Sequence, residues 1–316
     1  MFRKTPRYSA FNRWACGIFA LLCAQFVLLE SGFAKSSDRA KQPAALILQA
    51  DFSGVVMTGV AHSVDPRLRI VNVRPLIPLY DIAAASESLA YNAQTWPAGT
   101  VFVSVVDPGV GTARKSVVLR TNNDLYFVSP DNGSLSGPAR KYGVKAVREI
   151  DESVNRIPGS DWAHTFHGRD VYSYTGARLA AGVISFRQVG PRLEAKVMQL
   201  PVAKATYSEG VLRGHIAGGI DRLGNAYFSI NRELFEQSAP VLGERFAVAV
   251  THQGKLAWSG TLPYVKSFGG VPVGAELLFV DSSGNLAMAI NQGNFASTHG
   301  LGKGPDWQVT VTRTQP

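Results

Sequence analysis

The chain has 316 residues, enough for two domains or one large one, and 46% of them are apolar, an ordinary share for a protein with a buried core. Its formal charge is +9; residues 1–34 hold Arg3, Lys4, Arg7 and Arg13 against Glu30, a local +3, and the remaining +6 is scattered. No Lys/Arg stripe interleaves with aromatics, which argues against nucleic acid as a partner and leaves only a mild attraction for anions. Both cysteines, Cys16 and Cys23, lie in that first segment, so the rest of the chain can offer no disulfide, thiolate metal ligand or cysteine nucleophile.

Residues 1–34 read as a secretory signal peptide: a basic stretch, the apolar run 15–29, then Gly32-Phe33-Ala34 with small residues at −3 and −1 for cleavage after Ala34. The apolar run is shorter than the roughly 20 residues of a spanning helix, which favours cleavage over an anchor. Export to the periplasm or medium is the expectation. Residues 35–43 are polar and read as a linker.

An α/β domain is expected over 44–192. The buried strand 44–48 runs into Asp51-Phe52-Ser53-Gly54, followed by a helix over 55–64 with Val56, Val60 and Val64 on one face. A strand over 68–73 comes next. Asp81 is a good N-cap for a helix over 82–95, with Ile82, Ala85 and Leu89 inward. Strands follow over 101–104, 116–119, 125–128 and 146–150, then a helix over 171–181 with Asp170 as cap and Gly182 at its end. Strands alternating with helices imply a largely parallel sheet. From 200 to 316 the texture changes to short alternating strands and glycine turns, notably over 210–216, 225–230, 245–251, 276–280 and 286–290. This predicts a smaller all-β, barrel-like domain.

The richest segment is Val105-Val106-Asp107-Pro108-Gly109-Val110-Gly111-Thr112-Ala113-Arg114-Lys115, between two apolar runs. Proline and two glycines force a sharp turn there. Alone, it reads equally as a hairpin loop or as a ligand-binding strand end. Three further polar segments sit beside glycine: Asp51-Phe52-Ser53-Gly54, Asp131-Asn132-Gly133 and His164-Thr165-Phe166-His167-Gly168-Arg169-Asp170. All four are expected to follow strands of the same sheet, and four polar strand ends on one edge form a site more often than four unrelated loops do. Residue types alone allow a metal hydrolase with a bound water, or metal-free catalysis in which Asp107 and Arg114 set the charge and orientation of His167. No HExxH or paired acidic ligand motif supports the metal.

Taken together, and with Ile220-Asp221-Arg222-Leu223-Gly224-Asn225 and Ser282-Ser283-Gly284-Asn285-Leu286 in the second half, these segments resemble the S-adenosyl-L-methionine (SAM) hydrolases, or SAM hydroxide adenosyltransferases, relatives of the SAM-dependent fluorinase and chlorinase. The resemblance covers roughly residues 44–313. It implies an α/β domain followed by a β-barrel-like one. It also implies a homotrimer, with SAM between one subunit's first domain and its neighbour's second. It implies Asp107, Arg114 and His167 as the catalytic set that activates water, with no metal and no cofactor. Asp51 would hold the ribose diol, Asp221 and Ser282 the methionine end, and Asn225 the adenine, with Tyr80 and Phe268 as aromatic neighbours. His-Gly at 167–168, and Asp at 107, favour water over halide as nucleophile. The implied reaction is hydrolysis of SAM to adenosine and L-methionine. The alternatives are an exported nucleoside-binding protein without turnover and a metal-dependent hydrolase.

Overall fold

The computed structural model describes residues 44–218, 220 and 223–314. The signal peptide and the linker expected over 1–43 lie outside these, as does Asp221. The chain forms two compact units. Of the described residues, the first comprises those up to Ala85, Trp96–Asn132 and Ala139–Lys196; the second comprises Ser86–Thr95, Gly133–Pro138 and those from Val197 on.

The first unit is built on β1 (Leu46–Ala50), α1 (Val55–Val64), β2 (Ile70–Asn72), the start of α2 (Ile82–Asn92), β3 (Val101–Val105), β4 (Ser116–Arg120), β5 (Tyr126–Pro130), most of α3 (Ser136–Tyr142), β6 (Ala146–Glu149), α4 (Tyr174–Ala180) and β7 (Arg192–Leu193). Its sheet has the order β2-β1-β3-β5-β4-β6-β7. The pairs β2·β1, β1·β3 and β3·β5 are parallel, whereas β4 is antiparallel to both β5 and β6, and β7 to β6. Five strands, β1, β2, β3, β5 and β6, therefore point one way. Their C-terminal ends and the N-terminal end of β4 share one edge, where ligands of α/β sheets bind.

The segment between β3 and β4 is not a hairpin, because β5 lies between them. The buried runs Val101–Val105 and Ser116–Arg120 each pair with β5. Hydrophobic residues that point to both faces suit such interior strands. α1 spans the expected residues, but the side chains it buries are Met57 and Ala61, one turn apart, while Val56 is exposed. In α2, Asp81 caps as expected, its carboxylate accepting the amide of Ala84 at 2.8 Å. Asp170 does not cap. The helix starts earlier, as a π-helical turn over Gly168–Ser173 that continues into α4, and the Asp170 carboxylate is bound by its neighbour Arg169 at 2.6 and 3.0 Å. Gly176 of α4 lies against the sheet; a Cβ there would stand 2.3 Å from Cγ2 of Val103.

The second unit contains β8 (Thr206–Ser208), β9 (Val211–Gly218), β10 (Ala226–Asn231), α5 (Arg232–Glu236), β11 (Arg245–His252), β12 (Lys255–Pro263), β13 (Glu276–Val280), β14 (Asn285–Ile290), α6 (Phe295–His299) and β15 (Gly304–Arg313). The strand order is β12-β11-β15-β9-β10-β14-β13, with β8 on β9, and every ladder is antiparallel. A bridge between Tyr264 and Leu278 ties the chain after β12 to β13, so the sheet curls almost into a barrel. Phe228, Phe235, Phe246, Met288, Phe295 and Val309 fill it. Closing a sheet in this way hides its edge strands.

Candidate active site

The polar residues of the first unit gather at the shared strand-end edge. Asp51 follows β1, and its amide donates to the carbonyl of Val105 at the end of β3. One Asp51 oxygen accepts the amide of Tyr80 at 2.9 Å. Tyr80 has φ of 63°, a left-handed conformation that costs a non-glycine residue about 1 kcal/mol or more. The Asp51 bond helps to hold it, and the Tyr80 ring is left exposed. After β5, the side-chain amide of Asn132 donates to the carbonyl of Val106 at 2.9 Å, which fixes the start of the loop that carries Asp107.

Asp107 and Arg114 meet across that loop in a forked pair: Nε donates to Oδ1 at 3.0 Å and Nη2 to Oδ2 at 2.6 Å. Their side chains are only 6% and 10% exposed, so the pair is shielded from water, and bidentate geometry makes such a pair strong. Nη2 of Arg114 also stands 3.0 Å from Nδ1 of His167. His167 comes from the far side, at the head of the π-helical turn, and is 8% exposed. Gly168 lets this turn close on the sheet: a Cβ there would lie 2.8 Å from Val105 Cγ1 and 3.2 Å from Phe52 Cζ. Phe52 and Phe166 meet edge-on at 5.3 Å beside it.

Four more residues complete the cluster, and none of them carried a motif in the sequence. Nη2 of Arg156 lies 3.2 Å from the other ring nitrogen of His167, Nε2. The same Nη2 donates to Glu152 Oε2 at 2.6 Å, and Nη1 donates to the carbonyls of Ala163 and Ser160 at 3.1 and 3.3 Å. The Ser116 hydroxyl donates to Glu152 Oε1 at 3.3 Å and accepts from Arg114 Nη1 at 3.3 Å. The buried Tyr172 hydroxyl is 3.2 Å from that of Ser116, and its ring lies beneath the Arg114 guanidinium. Sequence reasoning had little to go on here, because Glu152 and Arg156 sit in an irregular stretch and Tyr172 reads as core.

Burial has the largest effect on His167 and pushes its pKa below the ordinary imidazole value. Glu152 and Asp107 pull it up, while the positive Arg114 and Arg156 push it further down. The ring therefore stays neutral to lower pH than a free histidine does. Burial is the largest single effect on Arg114 and opposes its charge, but the bond to Asp107 and the nearby Tyr172, Asp107 and Glu152 charges together outweigh it, and the guanidinium is held above its usual pKa. Burial and the Asp107 charge raise the Tyr172 phenol.

In the second unit, Asn225 is buried at the start of β10, its side-chain amide 3.5 Å from the Tyr227 hydroxyl. Phe268 lies on a short helical turn and packs on Phe279 at 5.0 Å. Ser282 is exposed in the turn between β13 and β14. Among the described residues, no group of three or more His, Cys, Asp or Glu is placed to hold a metal ion.

Residues 46–190 match the family model of the SAM hydroxide adenosyltransferase N-terminal domain, and residues 218–308 that of its C-terminal domain. The chain belongs to the SAM hydroxide adenosyltransferase family. It is 33% identical over 255 residues to an (R)-S-adenosyl-L-methionine hydrolase of Salinispora tropica, covering 80% of this chain and 90% of that protein. A fluorinase of Actinoplanes sp. is 26% identical over 280 residues, covering 81% and 91%. The crystal structure of an uncharacterized conserved protein from Thermotoga maritima superposes with a TM-score of 0.76 at 29% identity, covering 85% of this chain and all of that one.

Proposed function

We propose that this adenosyltransferase-family protein hydrolyses SAM to adenosine and L-methionine. Asp107, Arg114 and His167 are its catalytic set. The observation that carries this reading is the single Arg114 nitrogen shared between the Asp107 carboxylate and the His167 ring at a sheet edge suited to ligands. Family membership and the similarity to a named SAM hydrolase support it.

The chemistry asks little else of the site. Water oxygen attacks the ribose C5′. The C5′–S bond breaks with its electron pair moving to sulfur, which turns the sulfonium into a neutral thioether. Methionine needs no proton to leave, so no general acid is required. Water does need a base, since its own pKa is about 15.7. The neutral, shielded His167 accepts that proton, held in place by Arg114, which Asp107 holds in turn. The proton then passes to solvent.

Asp51 is the candidate for the ribose diol. Asn225 would contact the adenine, Asp221 and Ser282 the amino-acid end, and Tyr80 and Phe268 would line the substrate. The family resemblance further suggests a homotrimer in which the second-domain residues come from a neighbouring subunit, and export after cleavage behind Ala34. The reaction runs without metal or cofactor.

Purified protein incubated with SAM should yield adenosine and methionine by chromatography, with no loss of rate in chelator. Absence of adenosine overturns the reading. Calorimetric SAM binding without product would leave a binding protein instead, and a halogenated nucleoside formed in the presence of fluoride or chloride would place the chain with the halogenases.

A further inference from the structure

The side chains around His167 form a closed circuit. It runs from Asp107 to Arg114, across the imidazole to Arg156, on to Glu152, through the Ser116 hydroxyl, and back to Arg114. Each guanidinium offers its Nη2 both to a carboxylate and to one imidazole nitrogen. The Arg156 side chain is 10% exposed, the same as Arg114, although Glu152 is more open at 33%.

Guanidinium groups donate and cannot accept. A neutral imidazole has one lone pair, so it accepts from one flanking arginine and turns N–H toward the other. An imidazolium would turn N–H toward both and add a third positive charge between two others. The arrangement therefore suits a neutral ring better than a charged one, and its lone pair takes a proton only when the arginine that holds it turns to its carboxylate alone. We infer that Arg156, held by Glu152, is a positioning residue that keeps the His167 base neutral and returns it to that state after each proton transfer. This inference rests on the hydrolase reading above and assigns to that site a second arm opposite Asp107–Arg114.

The groups that face His167 are Asp107 and Arg114 from the loop after β3 and Glu152 and Arg156 from the segment after β6; Tyr172, from the helix that follows His167 itself, reaches Asp107 at 3.5 Å. Two guanidiniums face two carboxylates, so the circuit is electrically neutral when the ring is neutral. Keeping the base unprotonated at lower pH is gained in exchange for some basicity. Arg156 and Glu152 must then act in opposite directions. Removing the cation raises the pKa of His167, and removing the anion lowers it.

The test is the pH dependence of kcat/KM for SAM in the full-length mature protein, whose acidic limb reports the free-enzyme base. Arg156→Gln should move that limb to higher pH by about one unit, and Glu152→Gln should move it to lower pH. Arg156→Lys keeps the charge and should keep the limb near the wild-type position while lowering kcat. A merely structural role would lower activity in all three without shifts of opposite sign. The ring is also read directly, by nitrogen-15 NMR titration of His167 in the wild type and each variant, without any turnover. Shifts of the same sign in the two Gln variants, or none, overturn the inference. So does a wild-type His167 that titrates at or above 6.5, or, if the Gln variants do not fold, an Arg156→Lys ring that titrates as the wild type does with kcat undiminished. A wild type that fails to form adenosine overturns the hydrolase reading alone, because the NMR titration still decides the charge coupling.

Discussion

Under the proposed function Asp107 has two tasks, and measurement can separate them. Its carboxylate neutralises a guanidinium that is largely out of water, so Asp107→Ala should destabilise the fold by ~3–5 kcal/mol through the unpaired Arg114 charge, read from denaturant midpoints. Asp107→Asn also loses the charge but keeps the shape and one of the two acceptors for Arg114, so no cavity opens. It should unfold nearer to wild type and yet lose about 10²-fold or more in kcat, since Arg114 is no longer held for His167. Equal losses of activity and stability in both variants would make the residue structural. His167 has its own pH signature. Its pKa is lowered in the folded state, so below about 6.5 the unfolded chain binds more protons than the folded one. That contribution to stability is complete above the ordinary value and is lost as pH falls toward the folded pKa. His167→Gln should flatten this part of the stability–pH curve, measured by thermal melts. The three residues of this set stand out in the sequence because proline and glycine frame them. Glu152 and Arg156 do not, since no turn or period marks them and only the fold brings them to the ring.

At the level of elements, legibility followed burial. The strands Val101–Val105 and Glu276–Val280 are apolar but for Ser104 and Glu276, and composition alone marks them. The strand Lys255–Pro263 is mostly exposed and carries Ser259-Gly260 in its middle, so it offers no pattern, and neither does the short helix Ser136–Tyr142; Gly304–Arg313 alternates only in its second half, from Gln308 to Thr312, behind a Gly-Pro-Asp start that reads as a turn. Strand order is a long-range property: nothing local to residues 105–115 says that β5 will slot between its two flanking strands. The start of the His167 helix escaped for a different reason. Asp170 is an apt capping type, but the chain winds a π turn from Gly168 and the carboxylate goes to Arg169. Packing of that helical segment yields a sharp expectation at Gly176. Alanine there gains ~1 kcal/mol of helix propensity but drives a methyl into Val103, which is fully buried and has nowhere to go. Overpacking of this kind costs ~1–3 kcal/mol, so Gly176→Ala should lower the urea midpoint. The double variant with Val103→Ala should recover part of the loss. A Gly176→Ala protein as stable as wild type would mean that the helix stands further from the sheet than described.

At the scale of the whole molecule, the proposed trimer carries a prediction about how many chains build one site. An α/β unit with Asp107, Arg114 and His167 and a curled antiparallel unit with Asn225, Phe268 and Ser282 can be joined within a chain or across a ring of three. The two arrangements differ in what mixed inactive subunits can do. Asp107→Ala removes the first-unit chemistry, and Asp221→Ala removes the proposed contact to the methionine end from the second. If each site takes one unit from each of two neighbours in a closed heterologous ring, random mixing of equal amounts pairs an intact first unit with an intact second unit in about one quarter of sites. Refolded mixtures of the two variants should therefore regain close to that share of wild-type rate, at a mass by light scattering three times that of the mature chain beginning at Lys35. If each site is built within one chain, every mixed assembly holds only damaged sites, and no activity returns at any ratio. Recovery near one quarter that rises and falls symmetrically about the equal mixture is the expected result, and a flat zero across the series defeats the shared-site trimer without bearing on the chemistry proposed at His167.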